Sequence, residues 1–99
     1  MATVRPLKLR FSARARVQLV AIQEYIAGQN PGAAARVGDR IREATEVLRF
    51  FPHAGRTGRS AGTREWVVRG LPYIVVYEAN IDRDEIMVLS VFHGAQKRE

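Results

Sequence analysis

The sequence predicts an α+β domain in which an N-terminal strand precedes a two-helix hairpin and a C-terminal meander of three strands. Three observations lead to this fold class: an alternating apolar segment at the start, two stretches with apolar residues every three or four positions, and three short apolar segments at the end. This order is typical of helices packed on one face of a mainly antiparallel sheet. With 99 residues the chain has room for one hydrophobic core, so residues 1–99 are interpreted as a single domain.

The first predicted elements are a strand and a helix. In Val4–Phe11, apolar residues alternate with charged ones, as in a half-buried strand. Pro6 cannot donate a hydrogen bond to a neighbouring strand, so its presence favours a strand near the sheet edge. Ser12 is a typical N-cap, and in Ala13–Ala27 apolar residues recur every three or four positions until Gly28. The sequence therefore predicts an edge strand followed directly by an amphipathic helix.

A second helix and a loop come next. Asn30 is a typical N-cap, and Pro31 suits the first helical position, where its missing N–H is not needed. Apolar residues then recur at helical spacing until Pro52 ends the pattern. His53–Thr63 contains three glycines and small polar residues, so we predict a loop there. The two helices are expected to form a hairpin.

Three predicted strands complete the chain, at Arg64–Val68, Tyr73–Glu78 and Glu85–Phe92. The last two strands are apolar on both faces. In the first of them Tyr73, Val75 and Tyr77 alternate with Ile74 and Val76, and in the second Met87, Leu89 and Val91 alternate with Ile86 and Val88. Because a two-helix hairpin covers only one sheet face, the second face is expected to meet a peptide or helix of another chain. Self-association is the alternative.

Composition narrows the classes of partner. Lys and Arg outnumber Asp and Glu by 16 to 10, which gives a net charge of +6 and a pI near 10.8. Such a chain favours anionic partners, either nucleic acid or an acidic protein, with a merely solvated basic surface as the alternative. The absence of cysteine and the presence of only two histidines argue against disulfides and zinc sites, so neither metal nor cofactor is expected. No apolar run is long enough to span a membrane and the first residues lack a signal-peptide core, which favours a cytoplasmic location.

The order and spacing of several short motifs resemble the RelE/ParE family of toxins from bacterial type II toxin-antitoxin systems. The motifs cover essentially the whole domain and are Phe11-Ser12, Tyr25–Ala27, Asn30-Pro31 with Ala33-Ala34, Leu48–Pro52, Gly55-Arg56, Gly58-Arg59, Gly62–Glu65, Pro72–Tyr77 and Val91–Ala95. The resemblance implies a toxin held inactive by a cognate, ParD/RelB-like antitoxin. The C-terminal segment of that antitoxin would wrap the toxin in a hetero-oligomer, and no membrane would be involved.

The resemblance leaves two modes of action open. RelE-like members are ribosome-dependent ribonucleases that cut messenger RNA, whereas ParE-like members are associated with poisoning of DNA gyrase. Metal-free RNA cleavage needs basic and acid-base side chains that converge on one phosphate. The candidates are Arg59, Arg64, Tyr77 and His93, with Arg56, Glu65, Lys97 and Arg98 nearby in sequence.

The residues favour the ParE-like action. The nuclease pattern expects an arginine on the third strand or just after it, whereas Tyr77 is followed by Glu78, whose carboxylate would repel a phosphate. For His93, a partly buried, hydrogen-bonded position that closes a strand end is favoured over a role in proton transfer. The alternatives are therefore a ribosome-dependent endoribonuclease and a non-toxic, basic nucleic-acid-binding module.

Residues for binding the antitoxin or the target are expected on the loop and the last strands. The set is Arg56, Arg59, Arg64, Glu65, Trp66, Val75, Tyr77, Met87 and Leu89. Alternation places Trp66 with Val68 on one face of its strand, where core packing is favoured over stacking on RNA bases. His53 is interpreted as a local turn or C-cap contact.

Overall fold

A computed structural model describes residues 5–95 as a five-stranded sheet with two helices on one face, as the sequence predicts. The elements are β1 (Lys8–Phe11), α1 (Ala13–Ala27), α2 (Pro31–Phe50), β2 (Arg56–Thr57), β3 (Arg64–Val67), β4 (Tyr73–Asn80) and β5 (Glu85–His93). The strand order is β1-β5-β4-β3-β2, and all neighbours are antiparallel except β1, which runs parallel to β5. The edge position predicted from Pro6 is confirmed.

Both helices begin at the predicted caps. The Ser12 hydroxyl accepts a hydrogen bond from the Ala15 N–H at 3.0 Å, and the Asn30 side chain accepts one from the Ala33 N–H at 3.1 Å. Each cap satisfies a backbone donor that has no partner inside its helix. Pro31 occupies the first turn of α2 without loss of a helical hydrogen bond.

The core lies between the helices and the sheet, in two adjoining clusters. The larger contains Ala15, Ile41, Val68, Tyr73, Val75, Val88 and Val91, and the smaller contains Leu7, Leu48, Tyr77 and Ile86. Leu9 and Trp66 pack against both clusters. Trp66 therefore lies on the helix-facing side with Val68, as its alternation predicts.

A bulge changes the face assignment on β5. Val76 pairs with Ser90 and Tyr77 with Val88, so Leu89 is an extra residue with no partner on β4. Val88 and Val91, although three residues apart, consequently both face the helices and are buried. The prediction that Val91 shares a face with Met87 and Leu89 is wrong, because strict alternation does not survive the bulge.

The predicted loop His53–Thr63 contains a short strand that composition did not indicate. Arg56 pairs with Glu65 and Thr57 with Arg64, which makes β2 the second edge of the sheet. The hairpin between β2 and β3 closes through a hydrogen bond from the Gly58 N–H to the Thr63 carbonyl at 2.8 Å. A two-residue strand is too short to produce a periodic signal.

The second face of the sheet carries no helix within residues 5–95, but its apolar side chains are less exposed than the sequence suggests. Ile74, Val76 and Met87 are half-buried and Phe92 is buried. Side chains on neighbouring strands shield one another on a single sheet face. Val67, which pairs with Ile74 at the β3 edge of this face, is the exception and is 52% exposed. The other exposed large apolar side chains lie elsewhere, namely Val17, Val20 and Tyr25 on α1, Val47, Phe50 and Phe51 at the end of α2, and Ile81. No helix in the described part of the chain is long and apolar enough to cross a membrane.

Candidate functional site

Tyr77 fixes the loop that follows α2. Its side chain is completely buried, and its hydroxyl accepts a hydrogen bond from the Gly55 N–H at 2.9 Å and donates one to the Pro52 carbonyl at 2.8 Å. Burial raises the pKa of the Tyr77 phenol, while the Gly55 hydrogen bond and the nearby Arg64 charge act in the opposite direction. A phenol that is neutral and fully hydrogen-bonded in this way is a structural anchor rather than an exposed proton donor.

Arg64 supports the same anchor. One guanidinium nitrogen donates to the Gly55 carbonyl at 2.8 Å and to the His53 carbonyl at 3.3 Å. Gly55 itself has no room for a side chain, because an added Cβ would lie 2.8 Å from the Glu65 carbonyl oxygen and 2.8 Å from the Tyr77 ring. We call Pro52, Gly55, Arg64 and Tyr77 the tyrosine anchor. His53 contributes only its carbonyl oxygen to these contacts, which was not foreseen from the sequence.

The remaining loop residues surround this anchor. Glu65 is buried, with 5% of its side chain exposed, and its carboxylate accepts hydrogen bonds from the exposed Arg56 guanidinium at 3.0 and 3.3 Å. Arg59 is exposed on the β2–β3 hairpin. Trp66 donates its indole N–H to the Ala44 carbonyl of α2 at 2.9 Å. The Trp66 ring is thereby held against the helix, in the packing position that the sequence favours.

His93 lies at the opposite end of the sheet from the tyrosine anchor. It pairs with Tyr73 at the start of β4, whereas Arg64 pairs with Tyr77. Four residues along a strand span about 13 Å. The His93 ring makes an edge-to-face contact with Tyr73 at 5.6 Å, and its Nδ1 accepts a hydrogen bond from the Ala95 N–H at 3.0 Å. The four nuclease candidates therefore do not meet at one point, and Lys97 and Arg98 lie outside the described residues.

The residues of β4 and β5 that were expected to bind a partner fall into two groups, and Glu78 lies apart from both. Val75 and Tyr77 are completely buried beneath the helices, so their side chains are not accessible from the surface. Met87 and Leu89 are half-buried on β5. Glu78 is exposed on the sheet face opposite Tyr77, since consecutive strand residues point to opposite faces. A carboxylate on that face cannot act directly on a group held at the tyrosine anchor.

An apolar groove that the sequence reasoning missed lies between α2 and β3. Its volume is about 650 Å³, and its lining includes Ala44, Val47, Trp66 and Val67, with Arg56 and Arg69 at the rim. The exposed Phe50 and Phe51 follow Val47 on the same helix end. Because β2 pairs with β3 only as far as Glu65, the outer edge of β3 at Val67 has no strand beside it within the described sheet. In the sequence, the adjacent phenylalanines before Pro52, one helical turn after Val47, could have indicated an exposed apolar surface here.

The described residues contain no group of three or more His, Asp or Glu side chains that could hold a metal ion. The region around the tyrosine anchor instead combines arginine guanidinium groups, a buried phenol and an apolar groove. Such a combination can bind an anionic or apolar surface of another molecule.

This fold is shared with proteins from bacterial toxin-antitoxin systems. The chain superposes with a TM-score of 0.79 on a structure of the chromosomal ParDE system from P. aeruginosa, with 21% identity over 88% of this chain and 95% of that chain. The score is 0.65 for the RelBE2 toxin-antitoxin complex of Mycobacterium tuberculosis, with 26% identity over 96% and 98% of the two chains. These similarities show that the chain has the fold found in ParDE and RelBE toxin-antitoxin systems.

Sequence comparison identifies the family. The protein named "Putative toxin Y4kP" of Sinorhizobium fredii is 41% identical over 90 residues, which are 91% of each chain. A family model described as the ParE toxin of the type II toxin-antitoxin system parDE matches residues 9–98. The chain belongs to this ParE toxin family, as the motifs in its sequence indicate.

Proposed function

We propose that this protein inhibits growth in the cytoplasm by contact with a macromolecular target, most favourably DNA gyrase, and that it carries no catalytic centre of its own. A cognate ParD/RelB-like antitoxin would neutralise it by covering its binding surfaces in a hetero-oligomer. The observation that carries the proposal is the separation of His93 from Arg64 and Tyr77 along β4.

The hydrogen bonds of the individual side chains support action by binding to a target rather than by catalysis. General acid-base catalysis requires groups within hydrogen-bonding reach of the same substrate atoms. The Tyr77 hydroxyl is engaged by Pro52 and Gly55, and the Arg64 guanidinium by two backbone carbonyls. The buried carboxylate of Glu65 also faces Arg56 and offsets its charge. Little cationic capacity is left there to stabilise a scissile phosphate.

The antitoxin part of the proposal rests on accessible apolar surface. The structures that the chain resembles include complexes described as ParDE and RelBE systems. In this chain the groove between α2 and β3 combines exposed Val47 and Val67 with the exposed Arg69 and with the Arg56–Glu65 ion pair. An apolar centre surrounded by charge is typical of protein interfaces. An acidic, amphipathic antitoxin segment would complement it.

The proposal is tested by separating the two modes of action with the His93→Ala variant. Both the unaltered protein and this variant should stop growth, because the His93 ring is not needed for contact with a target. Purified toxin should inhibit gyrase supercoiling in vitro, and ribosome-bound messenger RNA should remain uncut after induction. Co-expression of the antitoxin gene should restore growth. Codon-positioned cuts that disappear in His93→Ala would replace the contact mechanism with the ribonuclease.

A further inference from the structure

We propose that the outer edge of β1 is a docking site for a short, acidic, extended segment of the antitoxin, which pairs with the backbone of Leu9–Phe11 as an added strand. This inference rests on the proposed neutralisation by an antitoxin. It specifies where one segment of the antitoxin binds and that this segment is acidic and extended. Three observations carry it: the orientation of the β1 backbone, a cleft beside that strand, and the arginines around the cleft.

The hydrogen bonds of β1 define which backbone groups face outward. The Lys8 N–H donates to the Asp84 carbonyl at 2.8 Å and the Ser12 N–H donates to the Val88 carbonyl at 2.9 Å, so even-numbered residues face β5. The intervening residues Leu7, Leu9 and Phe11 therefore direct their backbone groups to the opposite side.

These outward groups are not all satisfied. The Leu7 N–H donates to the Arg49 carbonyl at 3.0 Å, and the Leu7 carbonyl accepts from Arg49 Nε at 2.7 Å. The Phe11 carbonyl accepts from Arg16 Nε at 3.1 Å. No hydrogen bond among residues 5–95 engages the outward N–H and carbonyl of Leu9 or the outward N–H of Phe11. An added strand would provide partners for these three groups.

A cleft of about 430 Å³ lies beside this open stretch of backbone. Its apolar floor is formed by Leu9, Phe11 and Leu19, which are half-buried. The cleft is bounded at one end, because Arg49 occupies the strand edge at Leu7. Pairing is thereby limited to Leu9–Phe11, which corresponds to about 10 Å of extended chain. The cleft therefore suits a short segment rather than a long strand or a helix.

Arginines line the cleft from both sides. Arg10 follows Leu9 on the strand and so projects from the opposite sheet face, whereas Arg16 and Arg42 project from the two helices. Consecutive acidic residues in an added strand would alternate in the same way. One carboxylate could then reach Arg10 and the next could reach Arg16 or Arg42, with geometry suited to paired hydrogen bonds.

The existing contacts of these arginines are weak enough to be exchanged. Arg42 bonds Asp39 at 2.7 Å, but both side chains are about two-thirds exposed, at 65% and 66%. Arg10 is 64% exposed and lies 3.6 Å from the carboxylate of Glu85, whose side chain is 15% exposed, and within residues 5–95 Arg16 Nε donates to the Phe11 carbonyl at 3.1 Å. An exposed ion pair such as Arg42–Asp39 contributes little to stability. A second copy of this chain would bring the same three arginines against themselves, which disfavours pairing between toxins and favours an acidic partner.

The experiment measures binding of the cognate antitoxin to full-length toxin carrying Arg16→Glu or Arg42→Glu, with Arg36→Glu as the matched control. Arg36 is exposed on α2 and does not line the cleft. We expect the dissociation constant to rise at least tenfold for each cleft variant and less than threefold for the control. Circular dichroism and thermal unfolding of the free toxins report whether each variant is folded.

Hydrogen exchange provides a readout that does not depend on side-chain charge. In the free toxin the Leu9 and Phe11 amides should exchange rapidly, and in the complex both should be protected at least tenfold, while the paired Lys8 amide changes little. Unaltered affinity of the cleft variants together with rapid exchange at Leu9 in the complex would overturn the assignment. Concentration-dependent protection in the free toxin would indicate toxin pairing and overturn it as well. If the unaltered toxin binds no antitoxin, the proposed function itself fails, and this inference with it.

Discussion

Two arginine-rich regions of this small protein differ in how their cations are used. At the tyrosine anchor, Arg64 bonds two backbone carbonyls around a phenol that is completely buried. At the β1 edge, the exposed Arg10 and Arg42 side chains form ion pairs with Glu85 and Asp39, beside backbone groups of Leu9 and Phe11 that have no partner within residues 5–95. The number of arginines in a region therefore does not show whether that region has a structural role or a role in recognition. The separation depends on whether each guanidinium stabilises the chain's own backbone or remains accessible to another molecule.

The tyrosine anchor should be most sensitive to a side chain at Gly55, where there is no room for one. In Gly55→Ala, the new methyl group would lie 2.8 Å from the Glu65 carbonyl and from the Tyr77 ring, so the loop must move and lose its hydrogen bond to the Tyr77 hydroxyl. We expect the free energy of unfolding to fall by about 3 kcal/mol, the upper part of the usual range for overpacking. Urea unfolding of the purified chain measures this. Gly62→Ala is unsuitable as a control because of the positive φ at Gly62, but Gly32→Ala at the exposed start of α2 should change stability little. Equal stability of the two variants would contradict the anchor.

Replacing one arginine in each region compares how much each contributes to stability. Arg64→Ala removes two hydrogen bonds from a charged donor to backbone carbonyls and should lower the free energy of unfolding by about 1–3 kcal/mol. Arg42→Ala removes only an exposed ion pair with Asp39 and should change it by less than about 0.5 kcal/mol. Thermal unfolding of both variants tests the contrast. If Arg42→Ala is as destabilising as Arg64→Ala, the β1 edge is structural.

The sequence predicted most of the fold because its local signals agree with one another. Ser12 and Asn30 act as N-caps where their side chains indicate, and α1 occupies the predicted range Ala13–Ala27. The alternation of Tyr73, Val75 and Tyr77 matches their burial. In each case a short-range rule of hydrogen bonding or periodicity points to the same structure as the tertiary packing.

The missed features all depend on contacts between distant segments. The bulge at Leu89 shifts Val91 onto the helix-facing side, and no local signal in Glu85–Phe92 marks it. Arg64 was expected at a binding surface, but its partners, the carbonyls of His53 and Gly55, are eleven and nine residues away in sequence, respectively. The same holds for the cleft beside β1, which combines a strand with side chains from two helices. Pattern reasoning assigns faces and elements, whereas such sites follow from how the elements are brought together.

The smallest expected effect appears only at high pH and concerns the protonation of Tyr77. Burial raises the folded-state pKa of this phenol above its ordinary value of about 10, so the folded chain retains the proton more strongly than the unfolded chain. Below about pH 10 the Tyr77 phenol is protonated in both the folded and the unfolded state, so it contributes no pH dependence to stability. As the pH rises above that value, the unfolded state loses its proton first, and stability falls until the folded-state pKa is passed.

The measurement is the urea midpoint between pH 8 and pH 11 for the unaltered chain and for Tyr77→Phe, each made relative to its own value at pH 8. The unaltered chain should lose more stability above pH 10 than the variant, although the variant is less stable throughout because the Pro52 carbonyl and the Gly55 N–H lose their partner. The two proteins differ only at residue 77, so the contributions of all other groups cancel in the comparison. Parallel pH profiles for the two proteins would show that the Tyr77 phenol ionises as easily in the folded chain as in the unfolded one. Burial at the tyrosine anchor would then not disfavour the ionised phenol, and the anchor would be no more closed to solvent than the β1 edge.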